Sequence, residues 1–383
     1  MTKTTFIHSS DLQIGMTRKF LSLEAQSRFD EARERSIDAL GDLARERDAD
    51  FIVIAGDVFE HNALEKRTLG RALEALRRLP VPVLLLPGNH DPLVADSIFS
   101  HTEDIENVTV FTTEDPVEVL EGVEVVGAPL LTKHPSEDLC AKVVRRLEPT
   151  DKIRILVGHG QVEGFGTEQT EALINLDVLE DALAQGVIDY VALGDSHSSA
   201  SLGSSGRVWF SGAPETTDFA ERTGGEVGGE ADSGNALVVE VSKDDGTSTV
   251  QVDKVRTGTW TFDALGWEVA DAEDVAEVIA QLRAYPDKDR TVIKYALTGT
   301  LGLEATRTLE QELGALEPVF GALYERERLM DLHLEPGEEE LENLSLTGFA
   351  NQAMHELVAE ATAGDATARD AVNLLFRFSQ EAK

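Results

Sequence analysis

Five short apolar runs, each leading into a residue able to bind a metal, constrain this chain more than any other feature. They are Thr5 to Ile7, Phe51 to Ala55, Val83 to Leu86, Ile153 to Val157 and Tyr190 to Leu193. Phe51 to Ala55 and Val83 to Leu86, without a polar residue, read as strands buried on both faces, and the other three read as strands as well. Each run gives way to polar, turn-forming residues: Asp11 and Gln13 after the first, Gly56-Asp57 after the second, Gly88-Asn89-His90-Asp91 after the third, Gly158-His159 after the fourth, and Gly194-Asp195-Ser196-His197 after the last. Open α/β sheets place their sites at that carboxyl edge.

The spaces between the runs supply helices. Leu23 to about Glu46 carries Phe29, Ala32, Ile37, Leu40 and Leu43 at helical spacing, and about Lys66 to Leu79 reads as a second helix. Further strands are expected at Val108–Phe111, Val117–Leu120, Val123–Gly127, Val208–Ser211, Ala236–Val241 and Thr249–Val255, with helices near Ser136–Leu147 and Leu176–Ala184. The expected fold class is therefore α/β, with two packed β-sheets flanked by helices. Glu221 to Asn235, with five glycines, reads as a mobile loop.

Near Thr257 the pattern changes to strand, helix, strand, helix, strand: Trp260–Val269, Ala272–Ala284, Thr291–Leu297, Leu303–Leu316 and Leu323–Leu334. This is read as a small α+β second domain. An acidic linker at Glu335–Glu342 leads to two amphipathic helices, one carrying Phe349, Ala353, Met354, Leu357 and Val358, the other Ala371, Val372, Leu375, Phe376 and Phe378.

Composition sharpens the setting. One cysteine, Cys140, excludes an internal disulfide framework and fits a reducing cytoplasm. No apolar run approaches a membrane span, so no membrane partner is expected. The net charge of -37, from 71 acidic against 34 basic residues, argues at face value against nucleic acid. Basic clusters at Arg18-Lys19, Lys66–Arg78 and Lys142–Arg146 read first as solvated faces.

The polar residues at the strand ends form a set. A lone aspartate after a strand is usually a turn former, but five strand ends each delivering such a group need one common explanation. Oxygen and imidazole donors without thiolate suit manganese, magnesium, iron or zinc, and two such ions suit phosphoryl chemistry. Asp57, at the end of a central strand, is the best bridging carboxylate, and His90 the best acid for a leaving oxygen.

These residues resemble the calcineurin-like metallophosphoesterases, from Thr5 to about Phe219. Val58-Phe59-Glu60 and Phe210-Ser211-Gly212-Ala213-Pro214-Glu215 lean toward the DNA-repair nucleases of that family. The resemblance implies that Asp11, Gln13, Asp57 and His197 surround one divalent metal and that Asp57, Asn89, His159 and Asp195 surround another. Manganese is the first choice, His90 is the catalytic histidine that binds neither ion, and Asp91 orients its neighbours. It implies a nuclease domain over 1–257, a DNA-orienting cap over 258–336, and a segment over 337–383 that docks on an SMC-like coiled-coil ATPase, in a cytoplasmic homodimer acting on DNA.

Two positions depart from the family pattern. Gln13 stands where histidine is usual, and Gly194-Asp195-Ser196-His197 stands for Gly-His-x-His. The ion beside Gln13 is accordingly expected to be the weaker. The rival readings are a small-molecule phosphodiesterase or phosphatase on the same core, and a metal-depleted scaffold without catalysis.

Overall fold

Residue-by-residue alternation along the buried strands decides the layers of this protein, seen here as a computed structural model that describes residues 1–164, 172–223, 226–335, 346 and 348–381. One six-stranded sheet runs in the order Thr247–Arg256, Asn235–Asp244, Thr2–Ser9, Phe51–Ile54, Val83–Leu85, Val108–Val110. Its last four strands are mutually parallel, and Asn235–Asp244 pairs antiparallel with Thr2–Ser9. The other sheet runs Val117–Leu120, Val123–Gly127, Ile153–His159, Tyr190–Gly194, Val208–Phe210, Ala200–Leu202.

Successive side chains of a strand point to opposite faces. Phe6, Phe51, Val53 and Leu84 of the first sheet thus share a core with Val125, Ile155, Tyr190 and Ala192 of the second. Their neighbours Ile7, Ile52, Ile54, Val83 and Leu85 pack instead on Ile37 and Leu40 of helix Leu23–Glu46 and on Leu76 of helix Lys66–Arg77. The outer face of the second sheet, with Val126, Leu156, Val191 and Leu193, takes Val143 of helix Leu139–Val144 and Leu179 and Leu183 of helix Leu176–Ala184. The result is the expected arrangement of helices, sheet, sheet and helices.

The chain divides into two compact units. The first comprises Met1–Lys19, Gln26–Asp218 and Glu230–Trp260, and the second Phe20–Ala25, Phe219–Gly229 and Thr261–Lys383. The second unit has its own sheet, ordered Glu226–Gly229, Ala220–Thr223, Thr261–Val269, Thr291–Leu301, Ala322–Glu325. Helices Ala272–Ala284 and Leu303–Leu316 contribute Val278, Leu282 and Leu309 to its core. Of the terminal helices Phe349–Thr362 and Ala366–Glu381, Met354, Val372 and Phe376 are buried with Leu303 and Leu334. The helix pair thus packs on its own unit through that face.

Three expectations are corrected. Glu221–Asn235 is not a loop throughout: Ala220–Thr223 and Glu226–Gly229 pair antiparallel, and Ala220 to Arg222 pair in parallel with Asp263 to Leu265. Neighbouring backbone supplies hydrogen bonds that outweigh the weak strand preference of glycine. Leu323–Leu334 is two strands, Ala322–Glu325 and Asp331–Leu334, both paired with Thr291–Leu301 and separated by a turn of 3-10 helix at Glu327–Leu329. Helix Ser136–Leu147 shortens to Leu139–Val144; its start is set by the Asp138 side chain, which caps it by accepting from Ala141 N at 2.9 Å. The acidic linker lies outside the described residues beyond Glu335.

The basic clusters are largely committed. Arg71 pairs with Glu34, Arg78 with Asp38 at 2.8 Å, Arg77 with Glu74, and Lys142 and Arg146 with Glu114. Arg18 donates to the Thr217 carbonyl at 3.0 Å. Among the described residues no helix is long and apolar enough to cross a membrane.

Candidate active site

The parallel strands of both sheets end at one edge, and their following loops are tied together there. Asp11 N donates to Gly56 O at 3.0 Å, Gln13 N to Asp57 O at 2.9 Å and Ile14 N to Val58 O at 3.0 Å. Asp11, Gln13, Asp57 and Asp195 all adopt left-handed backbone, with φ of 53°, 42°, 51° and 100°. That conformation is costly for a side chain other than glycine and persists only where surrounding contacts hold it. Glycine is needed where the loops nearly touch. A Cβ on Gly56, itself at φ 93°, would lie 2.1 Å from His159 Nδ1, and one on Gly88 would lie 2.1 Å from Asp57 Oδ1.

Seven expected metal residues converge in this space. Asp11, Asp57 and His159 are buried and offer ligand atoms all within 4.8 Å of one another. His159 Nε2 lies 3.4 Å from Asp57 Oδ1, 2.9 Å from Asn89 Oδ1 and 3.7 Å from Asp195 Oδ1. Its Nδ1 is 2.8 Å from the Ala55 carbonyl, so Nδ1–H donates there and Nε2 is the ring atom that faces the carboxylates. On the other side His197 Nε2 is 3.1 Å from Gln13 Nε2 and 3.9 Å from Asp11 Oδ1. Asp195 joins the halves through its backbone N, 3.2 Å from Asp11 Oδ2.

Two features fit a cation. Gln13 Oε1 is buried with no hydrogen-bond partner among the described residues. Asn89 Oδ1 faces acceptors; turned over, the amide nitrogen would donate to His159 Nε2 at 2.9 Å and Asp57 Oδ2 at 3.1 Å. Oxygen inward suits a bound cation and equally a protonated His159, whose Nε2–H then donates to Oδ1; nitrogen inward suits only a neutral His159 with no ion.

The protonation equilibria agree. Burial pushes the Asp11 carboxyl up to about 6, against the opposing pull of His197 and His159. Burial likewise raises Asp195. For Asp57 burial is outweighed by His159, and the carboxyl ends below its usual range. For His159 burial is outweighed by Asp57, and for His197 by the Glu230 hydrogen bond and the Asp11 charge; His159 rises well above the usual imidazole value and His197 to about 9. Without a cation the centre retains protons that a divalent ion would displace.

His90 sits at the side of this cluster. Its backbone N donates to Asp57 Oδ1 at 2.9 Å, and Nδ1 is 3.0 Å from the Glu60 carbonyl, with Glu60 Oε1 at 3.8 Å. With Nδ1–H committed to that carbonyl, Nε2 is the atom left for a reacting group. Asp91 is fully buried and accepts from Phe59 N at 2.9 Å and Gly88 N at 2.8 Å, tying two ligand loops together.

Four supporting residues were given no part in the site by the sequence reading. Glu230 accepts from His197 Nδ1 at 2.6 Å and from Asp218 N at 2.7 Å. Arg33, buried in a helix, donates to Leu12 O at 2.7 Å and Thr216 O at 3.2 Å, and at longer range to Gln13 O and Asp11 O. Ser10 Oγ donates to Asp11 Oδ2 and meets Ser211 Oγ at 2.8 Å. Glu60 lies against His90. An arginine at the apolar spacing of Phe29 and Ile37 was the one available signal.

The chain is similar in sequence to known proteins. Residues 4–199 match the calcineurin-like phosphoesterase family. The SbcD subunit of the SbcCD nuclease from Staphylococcus epidermidis is 25% identical over 197 residues, covering 45% of this chain and 52% of that protein. The chain therefore spans about half the length of this relative. Among solved structures, TT1561 of Thermus thermophilus aligns with a TM-score of 0.38 at 12% identity, covering 65% of this chain and 99% of that one. A dimetal phosphatase from Danio rerio aligns at 0.39 and 10% identity, covering 66% and 99%. The family match takes in about half of the chain and every strand-end residue from Asp11 to His197, and the chain belongs to the calcineurin-like phosphoesterase family.

Proposed function

We propose that this phosphoesterase is a manganese-dependent DNA nuclease that hydrolyses phosphodiester bonds during processing of broken DNA ends, in concert with an SMC-like coiled-coil ATPase. The observation that carries the hydrolytic part is the convergence of Asp11, Gln13, Asp57, Asn89, His159, Asp195 and His197 on one buried edge with His90 beside them. The DNA part rests on the similarity to an SbcCD nuclease subunit.

Asp11, Gln13, Asp57 and His197 would hold one ion and Asp57, Asn89, His159 and Asp195 the other. When bound, such a pair supplies Lewis-acid charge at phosphoryl oxygens and acidifies water. The chain's own residues then have distinct tasks. Asp57 is central to both ligand groups. Glu230 and the Ala55 carbonyl fix the ring orientations of His197 and His159. His90, one-third exposed at its side chain, presents Nε2 to the leaving oxygen and exchanges a proton there. Asp91 keeps the Asn89–His90 turn in place through Gly88 N.

His90→Ala is expected to lower cleavage of linear duplex DNA in manganese by about 10²–10⁴-fold. Manganese uptake should persist. Normal cutting by that variant would remove His90 from the mechanism.

A second reading, a small-molecule phosphodiesterase, is favoured by the net charge of -37 and by the pairing of helix-face arginines with carboxylates. Comparing turnover of a cyclic nucleotide with that of duplex DNA separates the two. Faster turnover of the cyclic nucleotide would overturn the nuclease reading.

A further inference from the structure

We propose that Gln13 and Asp195 together tune this centre toward hard, oxygen-preferring cations and away from zinc. The inference rests on the two-metal reading above and assigns a role to the two positions that depart from the family pattern.

The donor set is the first argument. Asp11, Gln13, Asp57, Asn89 and Asp195 offer oxygen, and only His159 and His197 offer nitrogen. Grouped as above, each half of the centre has one carboxylate, one carboxamide and one imidazole, with Asp57 common to both. Gln13 is a weaker donor than histidine, but it faces the same kind of partners as Asn89 does across the centre. Carboxylate and carbonyl oxygens suit magnesium and manganese, whereas added imidazoles favour zinc and the later transition metals.

Geometry is the second argument. Gln13 has left-handed backbone at φ 42°, anchored by its N–H to the Asp57 carbonyl at 2.9 Å. Its amide nitrogen lies 3.1 Å from His197 Nε2 and its Oε1 is buried without a partner among the described residues, an acceptor that a cation would satisfy once the amide turns Oε1 toward His197. Asp195, at φ 100°, is anchored through its N–H to Asp11 and carries Oδ1 to 3.7 Å from His159 Nε2. Both substituted side chains therefore lie among the donors, and neither is turned out to solvent. The added carboxylate also supplies a third negative charge beside Asp11 and Asp57, which compensates a pair of divalent ions in a buried setting.

The test reads metal content. The full chain, stripped by chelation, is dialysed to equilibrium against manganese and zinc mixtures, and bound metal is measured by elemental analysis for the wild type, Gln13→His, Asp195→His and Gln13→Glu. Each histidine variant should raise the zinc-to-manganese uptake ratio about tenfold or more, the scale on which metal surroundings alter affinity. Gln13→Glu, which keeps an oxygen donor, should not raise the ratio. Ratios within about threefold of wild type in both histidine variants would overturn the inference and leave the two-metal reading standing. So would a rise in Gln13→Glu equal to that in Gln13→His. A wild-type chain that takes up neither ion would overturn both.

Discussion

Replacing Arg33 with methionine tests how the first ligand loop is held. The guanidinium is fully buried over the Phe29 ring, 5.4 Å from its centroid, and burial pulls its pKa down to about 10. Its donors meet four backbone carbonyls, of which Leu12 O at 2.7 Å and Thr216 O at 3.2 Å are well within hydrogen-bond range, while Gln13 O at 3.3 Å and Asp11 O at 3.4 Å are long. Methionine preserves much of the volume and leaves those oxygens unsatisfied. Losing a partner costs a buried polar group about 1–3 kcal/mol, so the two good bonds account for about 2–6 kcal/mol. Relief from burying a charge offsets part of this, and a loss of about 2–4 kcal/mol is expected. Asp11 and Gln13 flank the braced carbonyls in strained backbone, so manganese affinity should fall about 10–100-fold as well. Urea unfolding of the metal-free chain measures the first quantity and calorimetric titration with manganese the second. Arg33→Lys, whose single ammonium cannot serve several carbonyls at once, should fall between wild type and methionine in both. A variant that loses stability yet binds manganese as wild type would refute the link to the site, and one that loses neither would refute the hydrogen-bond reasoning itself.

Other perturbations probe different parts of the structure. Glu230→Gln, which removes the charge behind His197, should weaken manganese binding by about 10–100-fold, and an unchanged affinity would show that Thr217 alone orients the ring. Lys243→Met strands the buried carboxylate of Asp189, 3.0 Å from the ammonium, while freeing the Thr150 and Lys152 carbonyls. It should cost about 3–5 kcal/mol in urea unfolding, and the pair replaced together by Met and Asn should cost less than that. Burial, partly opposed by the Leu193 carbonyl, holds His8 down at about 3 against 6.5 for the free side chain. Below pH 6.5 the unfolded chain binds a proton that the folded chain refuses. Stability should therefore fall as pH drops from about 6.5 toward 3, by up to roughly 4 kcal/mol. His8→Gln should flatten that slope in unfolding measured across the range, and an equal slope in both proteins would assign the effect elsewhere.

Much of the fold was legible because burial on both faces writes itself into composition. Phe51 to Ala55 and Val83 to Leu86 have no polar residue, and such runs fit the interior of layered sheets. The helices Leu23–Glu46, Leu176–Ala184, Ala272–Ala284 and Leu303–Leu316 begin and end where periodicity places them. The hairpin of Ala220–Thr223 with Glu226–Gly229 was illegible for the converse reason. Its strand character comes from pairing with Thr261–Val269, and nothing local in a glycine-rich stretch reports a partner that far along the chain.

The site divides in the same way. From sequence alone one can place the candidate donors, because a residue at the end of a buried strand must emerge at the sheet edge, and Asp11, Asp57, Asn89, His159 and Asp195 each do so. Tertiary structure alone decided what holds those donors in place. Glu230 follows a hairpin of the second unit yet belongs to the first, where it meets His197; Arg33 lies on a helix among apolar neighbours and braces the Asp11–Gln13 loop. Chain connectivity places a candidate ligand, but the hydrogen bonds that orient it join residues 20 to 183 positions apart, and such pairings exist only once the layers have packed.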